Sequence, residues 1–553
     1  MIRITHIDQK MNFLRIITTI GIIALLFSCK EPTPRPVVRL IPLPAEVTDL
    51  KGIYKLTTAT KIGISSDNEQ MRRLALFLTS HTNVYYGIIN EITTSDKGDN
   101  GSVFLKLDEG LKLGKEDYNL TVTPKGVVIE AAAPNGLFYG IQTLIQLMPS
   151  ARQQVAEIIL PAVEIKDTPR FSWRGLHLDV SRHFMPKTFI LKYIDYMAMH
   201  KFNTFHWHLA DDQGWRIEIK KYPRLTEVGS IRKNTIIGHI NNPTGTDTIP
   251  YGGFYSQNDV REIVSYAAER YITIIPGIEM PGHAMAALAS YPELGCTGVP
   301  YEVATRWGVF SDVYCPGKEG TYTFFKDVIS EMTTLFPGKY FHIGGAECSE
   351  TRWEKCPSCQ LRMKNDSMNA TNDLHNYFVR RIGNTLDSLG KGMIGWDEIM
   401  KDTTLSKSIV MSWHDAEGGI TSAKRKLQTV MSPAKFCNFD LYQANPKSEP
   451  LATGGLLTLE QVYSFEPVPA DLSKQEAKYI IGAQANVWTQ YMKTPEYVEY
   501  MIFPRAAALA EVVWSPKSSR NYPWFRKRLL EQIKRYDAEG IRYCTAEFKS
   551  AIN

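Results

Sequence analysis

The sequence predicts an α/β protein: a (β/α)8 TIM barrel preceded by a small α/β domain. From about Asp167 onward, short apolar runs alternate with helical stretches, and the alternation repeats eight times. Before Asp167 the pattern differs, with period-two runs followed by one long apolar helix. Acidic residues, His and Trp stand just after nearly every one of the eight runs, which is where a barrel gathers its site. The competing architecture is a doubly wound open sheet. No Gly-rich phosphate fingerprint follows the first run, which weighs against it.

In the small domain, assigned to residues 40–165, Val103–Leu107 and Tyr118–Val122 alternate apolar and polar residues, and Val127–Ala131 is a third strand. Gly136–Met148 has apolar residues at helical spacing, and Pro149 stops it. No acid–base cluster occurs in this stretch. The barrel, with its C-terminal helix, is assigned to residues 166–553. Its strands are expected at Gly175–Val180, Thr204–Leu209, Ile272–Ile278, Tyr340–Ile343, Met393–Trp396, Ile409–Trp413, Thr429–Ser432 and Ile480–Ala485. Helical stretches at Thr188–His200, Asn258–Arg270, Tyr322–Phe336 and Asn372–Leu389 separate several of them.

Composition excludes some functions. The 553 residues carry 63 Lys and Arg against 58 Asp and Glu, a net charge of +5. That is too small and too dispersed for nucleic-acid binding. A 44% hydrophobic and 22% charged composition is ordinary globular. Residues 1–28 read as a signal peptide: Arg3, Lys10 and Arg15 flank the apolar run Ile16–Phe27, which is too short for a comfortable membrane span. The run ends Leu26-Phe27-Ser28-Cys29, which resembles a bacterial lipoprotein signal with Cys29 as the lipidated residue. Residues 29–39 are a Pro-rich tether. The expected location is therefore the bacterial cell envelope, with a membrane anchor at Cys29.

Seven cysteines remain besides Cys29. Cys356-Pro-Ser-Cys359 is a lone CxxC with Cys348 upstream, and no fourth ligand at zinc-like spacing is evident. A local disulfide or inert thiols are expected instead. Cys296 and Cys315 bracket a loop and are a candidate pair. No metal or organic cofactor is implied.

The rim residues point to chemistry. Asp211 and Asp212 follow the second strand, Glu279 and His283 the third, and Glu347 the fourth. Trp396 and Asp397 end the fifth, Trp413 ends the sixth, Asp440 follows the seventh and Trp488 the eighth. Flat Trp faces at an open rim suit a sugar ring, which is apolar on one side.

These segments resemble glycoside hydrolase family 20, the exo-acting β-N-acetylhexosaminidases. The resemblance runs from about Leu40 to the C-terminus. It rests on WRGLHLDVSRHF (173–184), FNTFHWHLADDQGWR (202–216), IPGIEMPGHA (275–284), FHIGGAE (341–347), IGWDEI (394–399) and GAQANVWTQ (482–490). It implies a terminal β-hexosamine glycan as substrate. Glu347 would be the general acid, and His283 and Asp211 its supporting network. Arg174 would grip ring hydroxyls, Trp396, Trp413 and Trp488 would wall the pocket, and Asp440 would bind distal hydroxyls. The acid would need a raised pKa, which desolvation by aromatic walls supplies.

The resemblance also implies a mechanism in which the substrate's own 2-acetamido oxygen attacks C1. In the family an Asp before the acid orients the acetamido N–H, and a Tyr two residues before the distal Asp binds its oxygen. Here those positions are Ala346 and Asn438, and a sugar-binding Glu is Gln490. Three readings follow: an exo-hexosaminidase with altered tolerance, a glycosidase for a sugar with another C2 group, or a catalytically weak surface glycan-binding protein.

Overall fold

The computed structural model describes residues 37–95 and 97–548. The signal segment and Cys29 lie outside the described residues. Among the described residues, no helix is long and apolar enough to cross a membrane.

The small domain is one seven-stranded mixed sheet, in the order Glu46–Thr57, Glu157–Asp167, Tyr118–Thr123, Gly126–Ala131, Val103–Leu107, Lys61–Ile64 and Glu91–Thr94. Tyr118–Thr123 alternates buried and half-exposed residues, as its period-two sequence requires. Helices Glu69–Tyr86 and Pro134–Leu147 pack on the sheet and on each other. Asn68 caps the first by accepting from the Met71 N–H at 2.9 Å, and Gly87, at φ 70°, ends it in the left-handed conformation. Pro134 opens the second at a position where no N–H is needed.

The barrel closes from eight parallel strands: Trp173–Asp179, Thr204–Asp211, Thr273–Met280, Tyr340–Gly344, Gly392–Trp396, Ile409–Ser412, Thr429–Met431 and Ile480–Ala485. Gly482 pairs with Trp173 and Gly175 with Thr204, so the last strand meets the first and the first meets the second. All eight lie within a residue or three of their expected positions. The first two strands are buried along their whole length. Histidines stand among their buried residues, and the rings of His177, His206 and His342 pack in a row, the first pair edge-to-face, with centroids 4.7 and 4.2 Å apart. Burial drives all three well below the ordinary histidine pKa, so this layer beneath the rim is neutral.

Arg174 is not at the rim. It is the second residue of the first strand, at the N-terminal end of the barrel, and its side chain is fully buried. Its guanidinium makes a bidentate pair with Glu116 of the small domain, at 2.7 and 2.8 Å. It also donates to the carbonyls of Lys201 and Phe171. The parallel direction of the strands places Arg174 about a strand's length from the C-terminal rim, so it cannot take the rim role expected for it. Nearby, Lys201 donates to Asp167 and to the Tyr118 hydroxyl, and the Trp514 indole donates to Asp167. These buried polar contacts join the small domain to the barrel.

Arg174→Met is therefore expected to destabilise the protein by about 3–5 kcal/mol in denaturant titration, as breaking a buried ion pair does, with KM unchanged. A raised KM at unchanged stability would return Arg174 to the substrate.

Candidate active site

Thirteen residues line a rim cavity of about 230 Å³, among them Arg182, Asp211, Glu279, His283, Ala346, Glu347, Trp396, Trp413, Asn438, Asp440, Trp488 and Gln490. That is below the roughly 300 Å³ at which pockets for drug-sized ligands begin, so it has room for one sugar unit rather than a run of them.

The acid side is a hydrogen-bonded chain. The second strand ends in Asp211 and continues into Asp212, both buried. His283 Nδ1 donates to Asp212 Oδ2 at 2.8 Å and lies 3.3 Å from Asp211 Oδ1. Its Nε2 stands 3.3 Å from Glu347 Oε2. Arg182 Nη2 pairs with Asp211 Oδ2 at 2.8 Å, and His208 Nε2 bonds the same oxygen at 2.9 Å. Burial opposes charge throughout. Even so, Arg182 and His283 hold Asp211 well below the usual carboxylate range, whereas burial leaves Asp212 raised. Against its own burial, His283 is raised well above the ordinary value by Asp211, Asp212 and Glu347, so it is a cation at neutral pH.

Local backbone aims the acid. His283 and Glu347 both adopt the left-handed conformation, at φ 52° and 49°, which is uncommon for such residues. Gly344 and Gly345, at φ 70° and 91°, make the turn that leads into Glu347. A Cβ on Gly344 would fall 1.7 Å from Glu279 Oε2, so only glycine passes there. The Glu347 N–H donates to the Glu398 carboxylate at 3.2 Å. The Glu347 side chain is 41% exposed, and its hydrogen bond to His283 outweighs burial and lowers its pKa. This corrects the expectation of a raised value: the side chain is too exposed for burial to dominate, and its hydrogen-bond partner is the His283 cation.

The walls are set by polar contacts to the Trp rings. Trp396 Nε1 donates to Glu279 Oε1 at 3.0 Å. Asp397 accepts from the Trp413 backbone N–H at 3.1 Å and from His414 Nδ1 at 2.8 Å. The Arg182 guanidinium lies 5.2 Å from the Trp488 ring centroid. Trp396 stands with ring centroids 6.2 Å from Trp413 and 5.8 Å from Trp488. Five buried polar atoms of the lining have no protein partner: Glu279 Oε2, Trp413 Nε1, Asp440 Oδ1, Trp488 Nε1 and Gln490 Oε1. Buried polar groups are nearly always satisfied, so such a cluster around one cavity marks a polar ligand. Burial also pushes Asp440 up to about 6.

A model of the glycosyl hydrolase family 20 catalytic domain matches residues 171–517, and one of the family's domain 2 matches residues 37–168. The chain belongs to glycoside hydrolase family 20. A beta-hexosaminidase of Porphyromonas gingivalis is 42% identical over 511 residues, covering 92% of this chain and 64% of that protein. One from Vibrio furnissii is 32% identical and covers 92% and 82%. Among solved structures, the family 20 beta-N-acetylhexosaminidase of Streptomyces coelicolor A3(2) superposes with a TM-score of 0.81 at 32% identity, covering 93% of this chain and 99% of that one. An exo beta-N-acetylglucosaminidase of Vibrio harveyi, in complex with N-acetylglucosamine, superposes with a TM-score of 0.81 at 30% identity, covering 93% and 79%.

Of the residues singled out in the family 20 sequence, the structure gathers Asp211, His283, Ala346, Glu347, Trp396, Trp413, Asn438, Asp440, Trp488 and Gln490 at one cavity and leaves out Arg174. Sequence reasoning missed Arg182, which follows the first strand and takes the rim position assigned to Arg174. It placed Asp212 at the rim but gave the support of His283 to Asp211 alone, whereas Asp212 is the nearer carboxylate to His283. Position after a strand end, rather than within the strand, was the signal that could have found Arg182.

Asp212→Asn removes one of the carboxylates that raise His283, so the histidine should lose its proton at lower pH. The basic limb of kcat/KM is expected to move to lower pH, read from the profile of an aryl glycoside. An unmoved limb would take His283 out of the acid's proton chain.

Proposed function

We propose that the chain is an exo-acting β-N-acetylhexosaminidase that releases a terminal β-linked N-acetylhexosamine from glycans with retention of configuration. The carrying observation is the single-sugar cavity, whose lining gathers Glu347 with His283, three Trp and five unpartnered polar atoms. The proton held by the Glu347–His283 pair passes through Glu347 to the glycosidic oxygen as the C1–O bond breaks, which leaves His283 neutral. The acetamido oxygen bonds to C1 and forms a cyclic oxazolinium. Water then adds to C1 and returns a proton to Glu347. Because Glu347 is held ionised beside the His283 cation, the proton that serves the leaving group belongs to the Glu347–His283 pair, not to Glu347 alone.

With Ala346 unable to orient the acetamido N–H, that task falls to Glu279. It is a buried carboxylate of the lining, unlike Asp211 it is not paired with Arg182, its Oε2 is unpartnered, and it lies against the Gly344 turn that leads to Ala346. Asn438 retains a side-chain amide able to donate to the acetamido oxygen.

Aryl β-glycosides that differ only at C2 test the activity. The acetamido sugar is expected to react at least about 100-fold faster than the hydroxyl sugar, a difference of about 2.7 kcal/mol in barrier. Fluorination of the acetamido methyl should slow it, because the attacking oxygen becomes a poorer nucleophile. Glu347→Gln should lose most rate on poor leaving groups, which need protonation, and much less on activated ones. Equal rates for the two C2 groups would overturn the assignment.

We also infer that Cys29 is lipidated and holds the enzyme on the outward side of a bacterial envelope membrane. The basic flank, the apolar run and the Leu-Phe-Ser-Cys ending support this. Cys29→Ala should shift the protein to the soluble fraction or leave unprocessed precursor. Unchanged processing and membrane retention would overturn it.

A further inference from the structure

Cys296 and Cys315 do not form an isolated pair, and the CxxC at 356–359 does not stand alone. The four sulfurs converge, all lying within 4.8 Å of one another. The two ligands that complete the CxxC, Cys315 and Cys296, lie about 40 and 60 residues before Cys356, which no local spacing reveals.

We propose that Cys296, Cys315, Cys356 and Cys359 bind a zinc ion in a closed structural site. The sulfur separations fit a tetrahedron. Cys315 Sγ lies 3.5 Å from Cys359 Sγ and 3.7 Å from Cys356 Sγ, and Cys296 Sγ lies 3.9 Å from Cys359 Sγ. Four thiolates at a Zn–S distance of roughly 2.3 Å stand about 3.8 Å apart. Two disulfides would require a unique pairing with sulfurs drawn to about 2.05 Å. Here Cys315 is nearly equidistant from two partners, so the arrangement selects no pair.

The site is built as well as gathered. Cys356 is the N-cap of the helix Pro357–Asn365, and Cys359 sits in its first turn, so the helix start presents both sulfurs on one side. Gly317 lies so close to this turn that a Cβ would come within 2.3 Å of the Ser358 carbonyl carbon and 2.4 Å of the Cys359 nitrogen. The Cys315 N–H donates to Leu294 O at 2.8 Å, and Lys318 Nζ donates to Gly295 O at 2.7 Å, beside Cys296. Val313, Trp353 and Leu374 pack around the cysteines and bury Cys315, Cys356 and Cys359, with Cys296 half-buried at the edge. Four protein ligands and an apolar shell leave no open position for substrate, so the role is structural. Each thiol loses its proton on binding, so four protons are released per ion.

The site pins the two loops that carry the acid machinery. The Tyr314 N–H donates to Pro281 O at 3.0 Å, two residues before His283. The Trp353 indole donates to Tyr314 O at 3.0 Å, and Cys348, next to Glu347, packs against the cluster.

The test uses the full chain purified without chelator. About one zinc per chain is expected by atomic emission, with these four cysteines protected from alkylation until a strong chelator is added. Chelation should lower Tm, and zinc should restore it. Cobalt substitution should give thiolate charge-transfer bands and the visible bands of tetrahedral Co(II), both readable in wild type even if Cys315→Ser fails to fold. Three results would each overturn the proposal: less than about half a zinc per chain, cysteines alkylated freely in its presence, or peptide masses showing disulfides among the four.

Discussion

Two adjacent carboxylates buried at the end of one strand constrain the whole rim. Asp211 and Asp212 have almost no exposure, so their charge must be answered within the protein. Arg182 answers from the loop after the first strand and His283 from the loop after the third. Both cations are thereby fixed in place. His283 in turn fixes Glu347, and Arg182 lies against Trp488, so one pair of aspartates positions the acid on one side and an aromatic wall on the other. The left-handed backbone of His283 and Glu347 is held by the same contacts.

The surroundings explain why these charges persist. Beneath the rim, the histidine rings are neutral and closely packed, so this layer adds no charge of its own to the network. Above them the cavity is open enough that Glu347 keeps contact with water, and its interaction with His283 dominates its ionisation. A bound sugar that displaces this water would strengthen each electrostatic contact in the chain, which is the condition under which proton transfer to the leaving oxygen is useful. The Trp rings serve a different end. Their faces suit the apolar side of a sugar, and the unpartnered N–H groups of Trp413 and Trp488, with Asp440 and Gln490, suit its hydroxyls.

Supports far from the cavity transmit order to it. The small domain contributes Glu116, which locks Arg174 at the bottom of the barrel, and Asp167, which binds Lys201 and Trp514. On the opposite face, the cysteine cluster binds the loop beyond the third strand to the helices beyond the fourth. These are the loops that bear His283 and Glu347. The chemistry is therefore held between a buried ionic network below and a clamp at the side.

The sequence alone determined the barrel, because strand period and helix spacing are local properties. The runs at Thr204–Leu209 and Ile480–Ala485 match the observed strands almost residue for residue. It also determined which loops carry Glu347, His283 and the three Trp, since a residue's place after a strand end is local too. In the small domain the strands Glu46–Thr57, Lys61–Ile64, Glu91–Thr94 and Glu157–Asp167 were not legible, because their partners, not their own pattern, select them. The choice between Arg174 and Arg182 was legible in the sequence, since one precedes the first strand run and the other follows it, and the structure sends them to opposite ends of the barrel. Tertiary structure alone set the direction of the Glu347 pKa, left Glu279 Oε2 without a partner, and brought Cys296 and Cys315 to the CxxC. Each of these depends on distances between residues remote in sequence, and Coulomb forces, desolvation and metal coordination act on those distances rather than on the order of the chain.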